Sequence, residues 1–499
     1  MREEITADPV LGRLADAVLI PPFPDGVVPG WIRDALGEGL AGVTLFGPNV
    51  EDRTQLGRLV ASLRGAAAEP VIAIDEEGGD VTRLSHQTGS DYPGNAALGA
   101  VDDVALTRSV YAALGTDLAA LGINLDLAPA VDVNTAADNP VIGTRSFGSD
   151  PALVARHAAA AVAGLQSAGV AACAKHFPGH GSTSADSHLV IATVDAPLSV
   201  LRARDLPPFE AAIAAGVRAI MPSHLRIPEL TGDLPASLSY RAQTDLLRGE
   251  LGFTGVIVSD GLEMRAVSDQ YGIPEAAVQA VMAGTDLLCL GRDQDHLSFL
   301  AVRAALVDAV QCGRMPGQRL EEAAARVAEL RAWTAAQARV VSAAGPPSGA
   351  GAATIGLAAA RRALAVEGSL PALHRPLVIQ LVPPSNLAVG AVPWGLRPWL
   401  ADDSYREIST GTEATELPGL VSRLLSEADG RSLVVVVRDA HRHPVAADAV
   451  SRLVAVRPDA IVLEMGLPVW RPAAGRYLAS YGAARSNSRA AAEVLGLTG

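Results

Sequence analysis

The sequence predicts an α/β protein with a (β/α)8 barrel of the TIM type, followed by a smaller α/β sandwich domain. Three observations predict this fold: a length of 499 residues, an alternation of short apolar runs with longer helical stretches, and a segment of linker composition at residues 343–353. A single hydrophobic core rarely serves more than about 250–300 residues, so this length requires at least two domains.

Eight short runs rich in Val, Ile and Leu occur in the N-terminal part of the chain, and most are followed by a turn and an Ala/Leu/Arg stretch with helical spacing. They are residues 17–20, 42–46, 71–75, 123–127, 170–176, 217–223, 255–260 and 285–290. Continuous apolar runs are typical of parallel strands that are buried on both faces. Eight of them, alternating with helices, match a closed barrel, and an open doubly wound sheet is the structural alternative.

The composition changes after the eighth run. Residues 318–341 have the spacing of an amphipathic helix, and the Pro, Gly and Ser residues that follow indicate a linker. We therefore expect a barrel domain in residues 1–342, a linker in residues 343–353 and a second domain in residues 354–499. Three further apolar runs predict strands of a parallel sheet in the second domain: residues 377–382, 432–437 and 460–463.

Composition and charge exclude several classes of protein. Hydrophobic residues make up 49% of the chain and charged residues 19%, which indicates a folded globular protein and not a disordered one. A net charge of −14 without a basic stripe argues against a nucleic-acid partner and favours a small neutral substrate. The N-terminal residues are acidic, and no stretch reaches the ~18 apolar residues of a membrane span, so we expect a cytoplasmic protein with no membrane partner.

The three cysteines, Cys173, Cys289 and Cys312, are odd in number and lack Cys-x-x-Cys spacing. They indicate neither a disulfide framework nor a thiolate zinc site, and we expect all three to be buried.

One lysine occurs among the 40 basic residues, Lys175, and the other basic residues are arginines. It begins the most polar stretch of the chain, residues 175–188, which also contains His176, His180, Asp186 and His188. A compact ammonium cannot be exchanged for a planar guanidinium where a point charge is needed. The lysine and the neighbouring titratable histidines therefore predict a functional site here.

Polar side chains stand at the ends of the predicted barrel strands. In a barrel, the carboxyl ends of the strands face one mouth, where catalytic groups of this architecture gather. The residues that this rule brings together are Asp75, Asp126, Asp132, Lys175, His176, His224 and Asp260.

Four motifs then occur in a recognisable order: residues 75–79 with Arg83, residues 139–147, residues 175–188 and residues 258–264. Together they resemble the catalytic barrel of glycoside hydrolase family 3, in particular its β-N-acetylglucosaminidase branch. The resemblance implies hydrolysis with retained configuration by double displacement, in which a carboxylate attacks the sugar and a second group moves the proton.

The resemblance also implies roles for individual residues. Asp260 is similar to the nucleophile, and His188, oriented by Asp186, to the acid/base that replaces the usual second carboxylate. The remaining matches are sugar-binding residues: Asp75, Arg83, Arg145, Lys175 and His176. We expect a carbohydrate substrate bearing N-acetylglucosamine, no cofactor, no metal and a monomeric enzyme, with a Gly/Ser/Thr-rich segment at residues 179–184 flexible enough to close over the substrate.

Several alternatives stay open on the sequence alone. His176, His180, Asp186 and His188 are metal-ligand types, so a metallohydrolase is one of them. A β-glucosidase-type member of the family would take its acid from the second domain, where Asp439 is the positional candidate. A phosphorylase would use phosphate in place of water, and a sugar-binding protein would perform no chemistry.

The chain departs from the family pattern at two positions. Gly261 directly follows the predicted nucleophile where an acid or another polar residue is common, and Asp80 stands where a basic residue is often found.

Overall fold

The computed structural model describes residues 8–185, 191–344, 352–384, 389–411, 417–473 and 475–498. The chain forms two compact units. The barrel unit comprises Met1–Glu76, Thr107–Thr135 and Ser149–Ser348. The second unit comprises Glu77–Leu106, Ala136–Gly148 and Gly349–Gly499.

The barrel unit contains a ring of parallel strands, each of which corresponds to one predicted apolar run. The strands are β1 Leu19–Ile20, β2 Gly42–Leu45, β3 Val71–Ile74, β4 Leu125–Asp126, β5 Ala171–Phe177, β6 Ala219–Pro222, β7 Val256–Ile257 and β8 Leu288–Cys289. Strands β2 to β7 pair in sequence order. A parallel bridge between Val258 and Leu287 continues the ring to β8, and β8 pairs with β1. The Thr44 N–H donates to the Pro21 carbonyl at 3.3 Å and links β2 to β1, so the TIM-type barrel is confirmed.

Small and branched apolar side chains fill the barrel, among them Ala73 of β3, Ala171 and Cys173 of β5 and Val258 after β7, and all of these are buried. Strands buried on both faces have no polar positions to alternate with, which explains the continuous apolar runs. The helices packed around them are Pro9–Asp16, Gly30–Glu38, Arg53–Ala66, Val104–Ala120, Pro151–Ser167, Leu198–Arg204, Pro207–Ala214, Pro228–Thr231, Arg265–Tyr271, Ile273–Ala283, His296–Gln311 and Gly317–Ala344, with a π-helix at Arg241–Glu250. A short parallel pair, Ala192–Thr193 with Leu225–Arg226, lies outside the ring.

The second unit is built on one sheet. Its strands are β9 Ala365–Glu367, β10 Leu377–Val382, β11 Tyr405–Ser409, β12 Leu433–Val437, β13 Ile461–Glu464 and β14 Arg476–Ala479. They lie in the order β9-β14-β13-β12-β10-β11, and only the β9 to β14 pairing is antiparallel among them. The helices of this unit are Asn95–Val101, Ala352–Ala363, Leu417–Glu427, Pro444–Val456 and Arg485–Val494.

Both faces of this sheet are covered, because alternate residues of β12 enter different apolar clusters. Val435 and Val437 belong to one cluster, and Val434 and Val436 belong to the other. The predicted α/β sandwich is therefore confirmed, with its three predicted strands in place as β10, β12 and β13.

The two units do not follow a single cut in the sequence. Two segments that follow β3 and β4 in the sequence, residues 77–106 and 136–148, belong to the same unit as the C-terminal strands. The prediction assigned both segments to the barrel domain. The last barrel helix, Gly317–Ala344, runs past the expected boundary at residue 342. Most of the expected linker, residues 343–353, lies outside the described residues, so its limits stay a prediction.

Cys173 and Cys289 are buried, as expected, but the expectation for Cys312 is wrong. This residue follows the last turn of helix His296–Gln311 and is exposed. None of the described helices combines the length and the apolar character needed to cross a membrane.

Candidate functional site

Lys175 and Asp75 form an ion pair between β5 and the residue after β3, the two strands that flank β4 in the ring. Lys175 lies in β5, and Asp75 follows the last residue of β3. The Lys175 ammonium donates to Asp75 Oδ1 at 2.7 Å, with the lysine side chain only 3% exposed and the aspartate side chain 18% exposed. Lys175 is thus a buried point charge beside a carboxylate, a setting in which a planar guanidinium is a poor replacement for an ammonium.

His176 is fixed by Asp132, which is fully buried. His176 Nδ1–H donates to Asp132 Oδ2 at 2.8 Å, while Asp132 Oδ1 accepts the backbone N–H groups of His176 at 3.2 Å and His180 at 2.7 Å. Burial alone would raise the pKa of Asp132, but the two histidines and the backbone donors hold that pKa below its usual value. With an ionised Asp132 accepting from Nδ1, a neutral His176 ring carries its lone pair on Nε2.

Asp126 differs from Asp132 although both are fully buried. Its Oδ1 accepts the Glu76 N–H at 3.0 Å, and among the described residues its Oδ2 has no hydrogen-bond partner. Burial, together with the nearby carboxylates of Glu76 and Asp75, raises the pKa of Asp126 well above its usual value. Two equally buried aspartates therefore shift in opposite directions: the pKa of Asp126 is raised and the pKa of Asp132 is lowered.

Asp260 lies in the turn three residues after β7 and is partly exposed. The preceding residue, Ser259, accepts the Cys289 N–H on its Oγ at 2.9 Å and ties the turn to β8. Asp260 Oδ1 accepts the Gly261 N–H at 2.8 Å. The Gly261 carbonyl in turn accepts from His224 Nε2 at 2.9 Å.

The partners of His224 also fix its tautomer. A carbonyl only accepts, so Nε2 carries the proton and Nδ1 accepts from Ser237 Oγ–H at 2.6 Å. The sequence placed His224 at the mouth, and its function in supporting the Asp260 turn is apparent only in the structure.

Cys173 lies in β5, and its thiol is buried. Burial raises the pKa of this thiol first of all, Lys175 lowers it, and Asp75, Asp126 and Asp260 raise it further. Asp75, Lys175, Asp126 and Asp260 are thus close enough to Cys173 to act on it electrostatically, and their roles in a site stay predictions.

Glu263 was not identified from the sequence, yet it lies beside the predicted nucleophile. Its Oε1 accepts the Arg292 N–H at 2.8 Å, and burial raises the pKa of Glu263 to about 8, with a smaller upward contribution from Asp260. A Cβ atom at Gly261 or at Gly291 would overlap Glu263 Oε2. The glycine after the nucleophile, a departure from the family pattern, is thereby explained as the space that Glu263 occupies.

The predicted Asp186–His188 dyad lies outside the described residues. The segment that leads to it is tightly packed, because a Cβ atom at Gly181 would overlap the Val133 carbonyl. Gly179 has a φ of +130° and abuts Asp205, whose pKa burial raises to about 6. Residues 179–181 and Thr183 are buried and Ser184 is exposed, and the expected flexibility of residues 179–184 stays a prediction.

Arg83 and Arg145 belong to the second unit, whereas Asp75, Lys175 and His176 belong to the barrel unit. Arg145 makes a two-pronged ion pair with Glu77, Nε to Oε2 at 2.9 Å and Nη2 to Oε1 at 2.7 Å, and both side chains are buried. Their roles as sugar-binding residues stay predictions.

Asp439, the alternative acid, is engaged within the second unit. Its Oδ1 accepts the Leu467 N–H at 3.0 Å, and a Cβ atom at Gly466 would overlap the same oxygen. Its own N–H donates to Glu464 Oε1 at 2.7 Å. These contacts give Asp439 a structural role in joining two loops. In the part of the chain that the structure covers, no group of three or more His, Cys, Asp or Glu side chains is arranged to hold a metal ion.

Comparison with known proteins gives consistent matches. A solved structure of a glycoside hydrolase family 3 β-N-acetylglucosaminidase from Paenibacillus sp. str. FPU-7 is 32% identical, covers 98% of this chain and 97% of that chain, and superposes with a TM-score of 0.85. A β-hexosaminidase of Stenotrophomonas maltophilia (strain K279a) is 40% identical over 258 residues, which are 50% of this chain and 76% of the relative. The β-hexosaminidase A of Pseudoalteromonas piscicida is 35% identical over 318 residues, 58% of this chain and 53% of the relative, so the chain spans about half of that protein.

The sequence pattern of the glycosyl hydrolase family 3 N-terminal domain matches residues 32–330, which contain the whole set of barrel-mouth residues described above. The chain belongs to glycoside hydrolase family 3.

Proposed function

We propose that the protein is a glycosidase that removes terminal, non-reducing β-linked N-acetylglucosamine with retention of configuration. Three features of the barrel unit support the proposal: the partly exposed Asp260 after β7, the buried Lys175–Asp75 pair and the His176 ring oriented by Asp132. A rigid carboxylate beside groups that bind hydroxyls is what a double displacement at a sugar requires. The names of the relatives, β-hexosaminidase and β-N-acetylglucosaminidase, support this substrate.

In the first step, an Asp260 oxygen attacks the anomeric carbon, and the bond from that carbon to the leaving oxygen breaks. His188 gives its proton to the leaving oxygen, so that the aglycone departs as a neutral alcohol. Asp186 holds the imidazole in position and favours its protonated form.

In the second step, water attacks the same carbon while His188 accepts one of its protons. The bond to Asp260 breaks and the free sugar leaves with its original configuration. The Lys175 ammonium, Asp75 and His176 contact sugar hydroxyls in both steps and keep the anomeric carbon in line with Asp260.

A panel of aryl β-glycosides tests this function, each assayed with and without inorganic phosphate. We expect rapid release of the aryl group from the N-acetylglucosaminide, much slower release from the glucoside, and free β-N-acetylglucosamine as the first product. A preference for the glucoside would favour the β-glucosidase-type alternative. Formation of a sugar 1-phosphate that depends on added phosphate would identify a phosphorylase.

Prolonged EDTA treatment is the matching test for the metallohydrolase alternative. Activity should persist, because the proposed steps use only side chains. Loss of activity that returns with added zinc would contradict the assignment.

A further inference from the structure

The two segments that carry Arg83 and Arg145 pack within the second unit against the C-terminal strands. In the sheet of this unit the chain passes from β10 outward to β11 and then returns to the other side of β10 as β12. Such a reversal opens a crevice at the carboxyl ends of the strands, which is where open α/β sheets bind ligands. Arg438 directly follows β12 at this crevice, and its guanidinium lies 6.0 Å from the ring centroid of Trp394.

The group that meets Arg438 there is the carboxylate of Asp80, whose side chain is only 2% exposed. Asp80 Oδ2 lies 2.9 Å from Arg438 Nη2 and also accepts from Thr144 Oγ1 at 2.6 Å. Asp80 Oδ1 accepts the Ala483 N–H at 2.9 Å. One buried carboxylate thus joins the first motif, the second motif and two loops of the C-terminal sheet.

These contacts lead directly to Arg145. Thr144 is its neighbour in the chain, and Glu77, three residues before Asp80, forms the two-pronged pair with its guanidinium. Asn95 Nδ2 donates to the Arg145 carbonyl at 2.7 Å. A shift of Asp80 therefore moves both the residue beside Arg145 and the carboxylate that orients it.

A second contact joins the loop after β12 to the segment that carries Arg145, residues 136–148. His441, three residues after Arg438, donates from Nε2 to the Ala137 carbonyl at 2.7 Å. The loop after β12 therefore contacts residues 77–106 at Asp80 and residues 136–148 at Ala137.

We propose that Arg438 is a positioning residue for substrate binding: it acts through Asp80 and Thr144 to hold Arg145 in the orientation that binds the sugar. This inference rests on the proposed function, in which Arg145 contacts the sugar. It also accounts for Asp80, since the basic residue often found at that position would face Arg438 with like charge.

The test is a double-mutant cycle in the full-length protein with Arg438→Gln, Asp80→Asn and the double variant, assayed on the aryl N-acetylglucosaminide. Because a displaced binding group weakens substrate binding, we expect KM to rise about tenfold in each single variant with kcat changed less than about threefold. The inhibition constant of free N-acetylglucosamine should rise in parallel. The double variant should be no worse than the worse single variant, because both substitutions break one contact.

Two further variants separate positioning from general stability. Arg438→Lys keeps the charge and should restore part of the lost affinity. Arg442→Gln alters an arginine of the same loop that lies 3.9 Å from Asp439, and it should leave KM and the inhibition constant unchanged. If Arg438→Gln does not fold, Asp80→Asn and Arg438→Lys carry the test.

Wild-type KM and inhibition constants in Asp80→Asn and Arg438→Gln would overturn the inference, and so would fully additive effects in the double variant. Failure of the proposed function is a separate result, because the wild-type protein would then not hydrolyse the N-acetylglucosaminide at all.

Discussion

Two mainly parallel sheets in this protein carry acidic residues at the carboxyl ends of their strands, called here the barrel edge and the second edge. The hydrogen bonding of these acids differs between the two places. At the barrel edge, Asp126 and Glu263 each have one carboxyl oxygen with no hydrogen-bond partner among the described residues. At the edge of the second sheet, Glu464 accepts N–H groups from Asp439, Ala440 and Gly466 at 2.7 to 3.2 Å.

Burial alone does not separate the two edges. Burial raises the pKa of Glu263 and the pKa of Glu464 to about 8 in both cases. The two places differ in the hydrogen bonding of their buried acids. An acid whose two oxygens both accept backbone N–H groups, such as Glu464, has a structural role because it joins the loops that donate to it. A buried acid with an unsatisfied oxygen marks a place that the fold alone does not explain. The comparison assigns the barrel edge to chemistry and the second edge to positioning.

The largest expected effect contrasts one aspartate from each edge. Asp260→Ala should lower kcat by about 10⁴-fold or more, because no other described carboxylate is proposed to attack the sugar. Asp439→Asn, at the second edge, should keep kcat within about tenfold of wild type, since its carboxylate joins loops. Steady-state kinetics on the aryl N-acetylglucosaminide measures both. The reverse order of effects would transfer the chemistry to the second unit.

A smaller effect is expected for Lys175→Arg, which keeps the charge at the barrel edge. The planar guanidinium does not fit the buried position opposite Asp75, so we expect kcat/KM to fall about a hundredfold. Arg53→Lys is the matched control, because its pair with Asp117 is on the surface and its side chain is 50% exposed. Full activity in Lys175→Arg would mean that the single lysine reflects composition only.

The smallest effect compares the same substitution, Glu to Gln, at positions 263 and 464. Gln at 263 imitates the neutral acid and should be tolerated. Gln at 464 brings an amide N–H against backbone N–H donors and should lower the free energy of unfolding by about 1–3 kcal/mol at pH 5. Thermal or urea unfolding of the two variants measures the difference, and equal losses would remove the distinction between the edges.

The pH dependence of stability follows from the raised pKa of Glu263. The folded protein keeps the proton up to about pH 8, whereas the unfolded chain loses it near the usual value of 4.5. The stability that this group contributes is therefore fully present below pH 4.5 and is lost as the pH rises through 8. Glu263→Gln should gain stability relative to wild type between pH 5 and pH 8. A constant difference across this range would show that Glu263 ionises normally.

The barrel could be predicted because each of its strands is buried on both faces and appears as a continuous apolar run. Strands β9, β11 and β14 could not, since β9 has three residues and β11 is an edge strand with charged and half-exposed positions. The mouth residues followed from the rule about strand ends, which needs no knowledge of side-chain contacts.

Contacts between residues distant in the chain were beyond sequence reasoning. Asp80 departs from the family pattern, and the structure accounts for it by the ion pair with Arg438. Gly261 also departs from the pattern, and the structure accounts for it by the close approach of Glu263. In both cases the unusual residue is half of a pair whose other member only the fold reveals. Glu263 lies within the fourth motif, residues 258–264, but nothing in the sequence distinguished it from its neighbours there.

The central claim is that Asp260 forms a covalent bond with N-acetylglucosamine, and trapping that species tests it most directly. An N-acetylglucosaminyl fluoride with a second fluorine at C5 should slow the breakdown of the intermediate, because the fluorine destabilises the oxocarbenium-like transition state, while the fluoride leaving group keeps the first step fast. Fluoride leaves from the anomeric carbon, and the protein should gain the mass of one C5-fluorinated sugar residue, located by peptide mass spectrometry on Asp260, whereas Asp260→Ala should gain none. An adduct on another residue, or turnover of the fluoride to the inverted sugar with no adduct, would contradict the account.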